Sequence, residues 1–361
     1  MLRLLFSLFI TGTLLFSARS ADSKDLASRL TVHEPIRVGA LTVFPVSNGG
    51  AVDTSQYLTL DEGLAKGLVK VGELGALRGT GAMVRPSEPP VAGRRGPIPR
   101  MPTPLPPEVA RVNELAIQNL SGRPLLLLAG EVVSGGKQDR VVARERIVPP
   151  HSEPVPLGVF CVEPGRWQGA SHEFSSARTM AHPQLRKQVT EAQDQQKVWN
   201  EVAQANQRLA IMAAPAAAAT GGFAPPSSYA RTMEAKPVQD KLGEQTRNFA
   251  GRLPRGTVGV VVALNGRIVW ADLFASPGLF DRYRDKLLQS YVVESARMAG
   301  AEVAPTAAEA RDFLRPLAGR ETTEAEPGLY RLVRVEASGL VTYELQSLPQ
   351  QLTLHFSRMA Q

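Results

Sequence analysis

The sequence predicts an α+β fold, a mainly antiparallel sheet or sandwich with two longer helices packed on or beside it. Three observations lead there. Four or five short apolar runs follow one another between Val109 and Val162, with Gly and Pro between them, the spacing of paired strands. The run 257–273 breaks at Asn265-Gly266, the pair that best fills a two-residue hairpin turn. Two other stretches, 184–211 and 276–300, place apolar residues at helical spacing.

Taken in order, Leu41, Val43 and Val46 mark a strand with a proline near its end. Thr59 with Glu62 three residues later forms a capping box, and Leu60, Leu64 and Leu68 repeat every four residues. Gly63 and Gly67 weaken that helix, so it should be short and held by packing. Val69 and Val71 begin the next strand. Residues 79–107 are dense in Pro and Gly without a period and read as an exposed insertion. Four strands are expected after it: VNELAIQNLS, LLLLAGEVVSGG, RVVARERIVPP and Leu157–Val162. Pro183 suits the first turn of the helix 184–211, whose buried stripe reads Val189, Ala192, Gln196, Trp199, Val202, Ala203 and Leu209. Residues 213–227 read as an Ala/Pro-rich loop and 229–249 as a mixed helical segment. The C-terminal strands LYRLVRVEA, LVTYELQ and LTLHFS alternate as if one face were wet. The organisation expected is a leader over 1–20, an α+β domain over 31–300, and the strands of 301–361 joined to it.

At the N-terminus, Arg3 precedes an apolar run from Leu4 to Phe16, with Ala18 and Ser20 placed for cleavage before Ala21. This is the pattern of an export signal, so the expected location is extracytoplasmic, periplasmic or secreted. No later segment approaches the roughly 20 apolar residues of a spanning helix, so no stable membrane span is expected after cleavage. The formal charge is +7, and losing Arg3 and Arg19 with the leader leaves +5. That modest excess, with no basic stripe and regular aromatic interleaving, argues against a nucleic-acid partner. With the single cysteine Cys161, no internal disulfide can form, and burial is the expectation for a lone thiol. A nucleophilic role would require a base, for which His151, His172 and His182 are the candidates. No metal-ligand spacing is present, and the sequence leaves the cofactor, if any, unknown. Nor does the sequence give an oligomeric state.

The expected ligand site joins two turns. In GEVVSGGKQDR, an apolar strand runs into a polar cluster containing Glu131, Lys137, Gln138, Asp139 and Arg140, and Gly135-Gly136 lets a ligand approach the backbone. The second turn carries Glu163, Arg166 and Trp167 just after Cys161. The tentative ligand residues are therefore Glu131, Lys137, Gln138, Arg140, Glu163 and Arg166. An even number of intervening strands would bring the turns together as a surface concavity for an anionic small molecule. Asp272, which follows Trp270, is read as a cap for the next turn, with a cleft-facing role as the alternative.

Five blocks, LTVFPV (41–46), YLTLDEGLAKGLV (57–69), PLLLLAGEVVSGGKQDRVV (124–142), IVPPHSEPVPLGVFCVEPGRW (147–167) and the segment from Thr257 to Tyr291, together resemble the ARG and rhodanese-phosphatase-superfamily-associated protein domain family, a bacterial and archaeal family of unknown function. The resemblance covers about residues 36–300 and extends toward the C-terminal strands. It implies company with ADP-ribosylglycohydrolase-like and rhodanese- or phosphatase-like domains, hence a nucleotide or ADP-ribose context, and it carries over no catalytic residue. Two function classes stand: an exported, non-catalytic ligand-binding or scaffold domain, and alternatively a hydrolase or transferase acting on a phosphate-bearing or nucleotide-like ligand.

Overall fold

The β13–β14 hairpin (Thr257–Leu264 and Arg267–Phe274) lies inside the largest sheet. Asn265 and Gly266 take φ of 48° and 77°, as a tight hairpin turn requires. In this computed structural model, residues 29–50, 52–74, 76–77, 113–166, 171–218, 224–296, 298, 300 and 303–361 are described. The leader, the insertion 79–107 and Trp167 lie outside these residues.

The N-terminal strands are β1 (Leu30–Val32), β2 (Ile36–Val38) and β3 (Leu41–Asn48). The C-terminal strands are β15 (Arg320–Glu326), β16 (Tyr330–Ala337), β17 (Leu340–Ser347) and β18 (Leu352–Ala360). β3 pairs with β13 and β18 with β14, so both ends of the described chain meet on the hairpin in one nine-stranded antiparallel sheet. Alternation along the hairpin divides the core. Val260, Val262, Trp270 and Phe274 face the larger cluster, while Val261, Ala263, Ala271 and Leu273 face a smaller one with Ala310 and Leu314. The larger face is covered by α5 (Lys236–Ala250) and α6 (Pro277–Ser295), and Ala310 comes from α7 (Ala307–Phe313).

Two smaller sheets complete the strand layers. β12 (Phe174–Met180), β8 (Glu131–Gly135), β9 (Arg140–Val142), β11 (Val155–Cys161), β6 (Glu114–Asn119) and β5 (Val69–Glu73) form a six-stranded sheet in that order. β10 (Arg146–Val148), β7 (Leu125–Leu127) and β4 (Leu58–Thr59) form a three-stranded one. The capping box of Thr59 and Glu62 is present and opens the short α1 (Leu60–Ala65). The fold is therefore α+β with sheet-dominated packing, and no helix among the described residues is long and apolar enough to cross a membrane.

Several expected elements are divided. LLLLAGEVVSGG is two strands, because Gly130 (φ 94°) turns the chain out of β7 and into β8 of another sheet. RVVARERIVPP likewise splits at Ala143–Glu145 into β9 and β10. Both halves of each run are buried, so hydrophobicity alone does not mark the change of sheet. The helix expected over 184–211 is α2 (Pro183–Lys187), a π-helix (Gln188–Ala192), a left-handed residue at Gln193 and then α3 (Gln195–Ala218). Asp194 restarts the helix by accepting from the backbone N–H of Gln196 at 2.8 Å. The break resets the phase: Val189, Val202 and Leu209 are buried, but Ala192, Gln196 and Ala203 are exposed, and Val198 takes the inward position instead. α3 also absorbs residues 213–218 of the expected loop. The mixed segment after it is α4 (Tyr229–Glu234) followed by α5.

Candidate functional site

The two polar turns do meet, by a route different from a simple meander. β9 lies between β8 and β11, with Arg140 paired to Cys161. This sets the turn after β8 beside the end of β11 although β10 departs to another sheet. Gln138 Nε2 donates to the carbonyl of Glu163 at 3.0 Å, and the Asp139 N–H donates to Glu163 Oε2 at 3.1 Å. Arg166 pairs with Glu163 at 2.6 Å and Asp139 at 3.4 Å. Asp139 also accepts from Ser134 Oγ, the Gly135 N–H and Ser228 Oγ. The Lys137 backbone N–H donates to Glu73 Oε1.

Two expectations fail here. Glu131 is not in this cluster: it lies at the far end of β8, where it accepts from the Leu128 N–H and pairs with Lys286 at 2.6 Å. Arg140 is not a surface cation but 1% exposed, turned inward to bond the Gln138 carbonyl and side chain. Replacing it would strand buried acceptors, so it is no neutral probe of ligand binding. These groups chiefly satisfy one another, and the cluster clasps β8, β11 and α4.

Cys161 lies under this clasp, fully buried, and burial pushes its thiol up despite nearby Arg140 and the Trp199 indole. His182 is occupied elsewhere: its Nδ1 accepts from the Leu185 N–H as the cap of α2, and its Nε2 contacts Arg208 and Glu201. Native protein should thus react with a bulky thiol reagent only after unfolding. Rapid stoichiometric labelling before denaturation would count against this burial.

A second polar centre, between the nine-stranded sheet and α2, combines buried charge with a cavity. Period-two alternation puts Trp270, Asp272 and Phe274 of β14 on one face with His355, Ser357 and Met359 of β18. The alternation of the C-terminal strands suggests one wet face, but α2, the π-helix and the bend 143–145 cover this one, and His355 is 1% exposed. Asp272 does not cap the next turn, a role filled by Ser276 at the start of α6. It is fully buried, and its Oδ2 accepts from Arg186 Nη1 at 2.9 Å, from Trp270 Nε1 at 3.0 Å and from the Tyr291 hydroxyl. Its Oδ1 lies 3.3 Å from His355 Nε2, an ion-pair contact, and His355 Nδ1 lies 3.0 Å from both oxygens of Glu145.

The charges of this chain sustain one another. Burial opposes the charged imidazole, but Glu145 and Asp272 outweigh it and raise His355 to about 9. Burial likewise opposes the Asp272 carboxylate, yet Arg186 and His355 hold it down at about 2. Arg186 is 3% exposed and stacks over the Trp270 ring at 4.5 Å. Its Nε and Nη2 have no hydrogen-bond partner within the protein. Gly130 makes the passage for its stem, since a Cβ there would stand 2.5 Å from Arg186 Cγ and Cδ.

Arg186, Glu145, Thr190, Trp270, Tyr343 and Ser357 border a cavity of about 20 Å³. A single water needs roughly 10–15 Å³ on this scale, so the cavity admits the oxygen tip of a ligand rather than its body. Ala143, Arg144 and Glu145 also line an adjoining groove of about 400 Å³ with Arg146 and Tyr330. The interrupted strand is what aims Glu145 here, and the π-helix, a feature frequent at functional sites, brings Thr190. Reading the sequence alone missed Arg186, Glu145 and His355. The available signal was Asp272, a carboxylate inside the apolar run IVWADLF, which calls for a buried cation.

Charges elsewhere in the fold have structural work to do. Arg123 and Arg282 border a cavity of about 660 Å³, but both donate to backbone carbonyls of residues 54–57 and hold that loop. Lys286 is committed to Glu131 and to Asp61 at 2.8 Å. Among the described residues no group of three or more His, Cys, Asp or Glu could hold a metal ion.

No curated protein and no solved structure matches the chain. A family model does match, from residue 29 to residue 359. That span takes in all three sheets, both polar turns and the buried arginine, and on it the chain belongs to the family of the ARG and rhodanese-phosphatase-superfamily-associated protein domain.

Proposed function

We propose that the protein is an extracytoplasmic binding domain for a small molecule bearing a phosphate or carboxylate, with Arg186 as its anchor. The observation that carries this reading is the buried guanidinium with two unpaired nitrogens beside a cavity. A buried donor without a partner is costly, and the planar fork of arginine matches the oxygens of an anion. Calorimetry against inorganic phosphate, acetate and AMP tests the reading. Arg186→Lys keeps a cation beside Asp272 but loses the fork, and should weaken binding at least tenfold, about 1.4 kcal/mol. Failure of all three ligands to bind wild type, or equal affinity in the variant, refutes it.

Export is supported by the apolar run at 4–16 and the small residues at 18 and 20. Protein purified from its native host should begin near Ala21. A chain still carrying Met1 in the cytosolic fraction would contradict this.

The hydrolase or transferase alternative draws on Glu145, which borders cavity and groove while His355 fixes its orientation. Turnover of a phosphate ester by wild type, lost in Glu145→Gln while binding persists, would favour that alternative.

A further inference from the structure

We propose that the ligand is a diphosphate ester with a ring-bearing body, its terminal phosphate at Arg186 and its second phosphate at Arg144 and Arg146. This rests on the reading of Arg186 as an anion anchor and adds the ligand class. The inner cavity and the outer groove share the bend Ala143–Glu145, and Arg144 borders both. A phosphate whose tip oxygen enters the cavity and a second anionic group in the groove are therefore neighbours, as in a diphosphate, rather than the distant ends of a long molecule.

The groove supplies the second cationic station. Arg146 borders it with a buried Nε that has no hydrogen-bond partner within the protein, while its Nη1 is fixed on the Pro156 carbonyl at 2.8 Å. The rest of the groove includes Tyr330, Asn113 and Gln193, an aromatic side chain and two amides suited to a ring bearing polar groups. Its volume of about 400 Å³ is of the order that small-molecule sites occupy.

Arg144 is held by Glu324 of the edge strand β15, and both side chains are about half exposed. Such a pair is weak and screened by salt, so an arriving phosphate takes over Arg144 and releases Glu324. The Glu324 side chain thereby forms a displaceable rim at the entrance.

The test is calorimetry at fixed ionic strength with ADP, AMP and adenosine. Wild type should bind ADP at least tenfold more tightly than AMP, and adenosine more weakly than either. Arg144→Ala with Arg146→Ala should bring the ADP-to-AMP affinity ratio toward one. Arg144→Ala alone, at an exposed position, should move the ratio the same way if the double variant folds poorly. Glu324→Gln should raise ADP affinity at least twofold. AMP binding with no diphosphate advantage, or a ratio unmoved by the arginine variants, overturns this proposal while leaving the Arg186 anchor standing. Failure of AMP, phosphate and acetate alike to bind overturns both.

Discussion

Asp272→Ala should destabilise the protein by about 3–5 kcal/mol, the usual cost of removing one partner from a buried ion pair. Three groups depend on this carboxylate: Arg186, the Trp270 indole and the Tyr291 hydroxyl donate to it, and protonated His355 stands against its other oxygen. Deleting it strips Arg186 of its buried counter-charge and leaves the buried His355 imidazolium with Glu145 alone. Asp272→Asn keeps the shape but removes the charge, so it should recover little of the loss. Urea unfolding with an unchanged slope would report the difference directly. A midpoint shift equivalent to less than about 1 kcal/mol for the alanine variant would mean that the charge network contributes little.

Stability should fall as pH rises from the neutral range toward 9. His355 is raised from its ordinary 6.5 to about 9, so the folded state holds a proton that the unfolded chain releases. The resulting stabilisation is fully present below pH 6.5 and is lost as pH climbs through about 9. A shift of this size corresponds to ~3 kcal/mol. Asp272 acts at the other end: lowered from 3.8 to about 2, it stabilises above pH 3.8 and ceases to do so as pH falls through about 2. The two contributions share one contact and do not add. Unfolding free energies measured from pH 5 to 9.5 should decline over the upper half of that range, and His355→Gln should flatten the decline. The same slope in wild type and variant would assign the alkaline loss to other groups.

Much of the fold was legible because its determinants are local. The Asn265-Gly266 turn needs only two residues that tolerate positive φ, the Thr59–Glu62 box spans one helical turn, and Pro183 stands at the start of α2. The convergence of the two polar turns was legible for a related reason, since strands near in sequence tend to pair. What the turns contain was not. Whether Arg140 faces solvent or the interior depends on which strand lies beyond it, and Glu131 is carried to the other end of β8 by the length of that strand.

The sequence by itself determined the strand-rich α+β class, the hairpin, the short capped helix and the family membership, each recorded in residue types at close spacing. Tertiary structure alone decided the Arg186 cavity. Arg186, Glu145, Asp272 and His355 come from α2, an inter-strand bend, β14 and β18. Arg186, Glu145 and His355 have unremarkable local patterns, and only Asp272, inside the apolar run 268–274, carries a local signal. Their meaning arises from burial: once α2 and the bend cover the sheet, water no longer solvates these charges, and only partners brought from distant segments can hold them ionised.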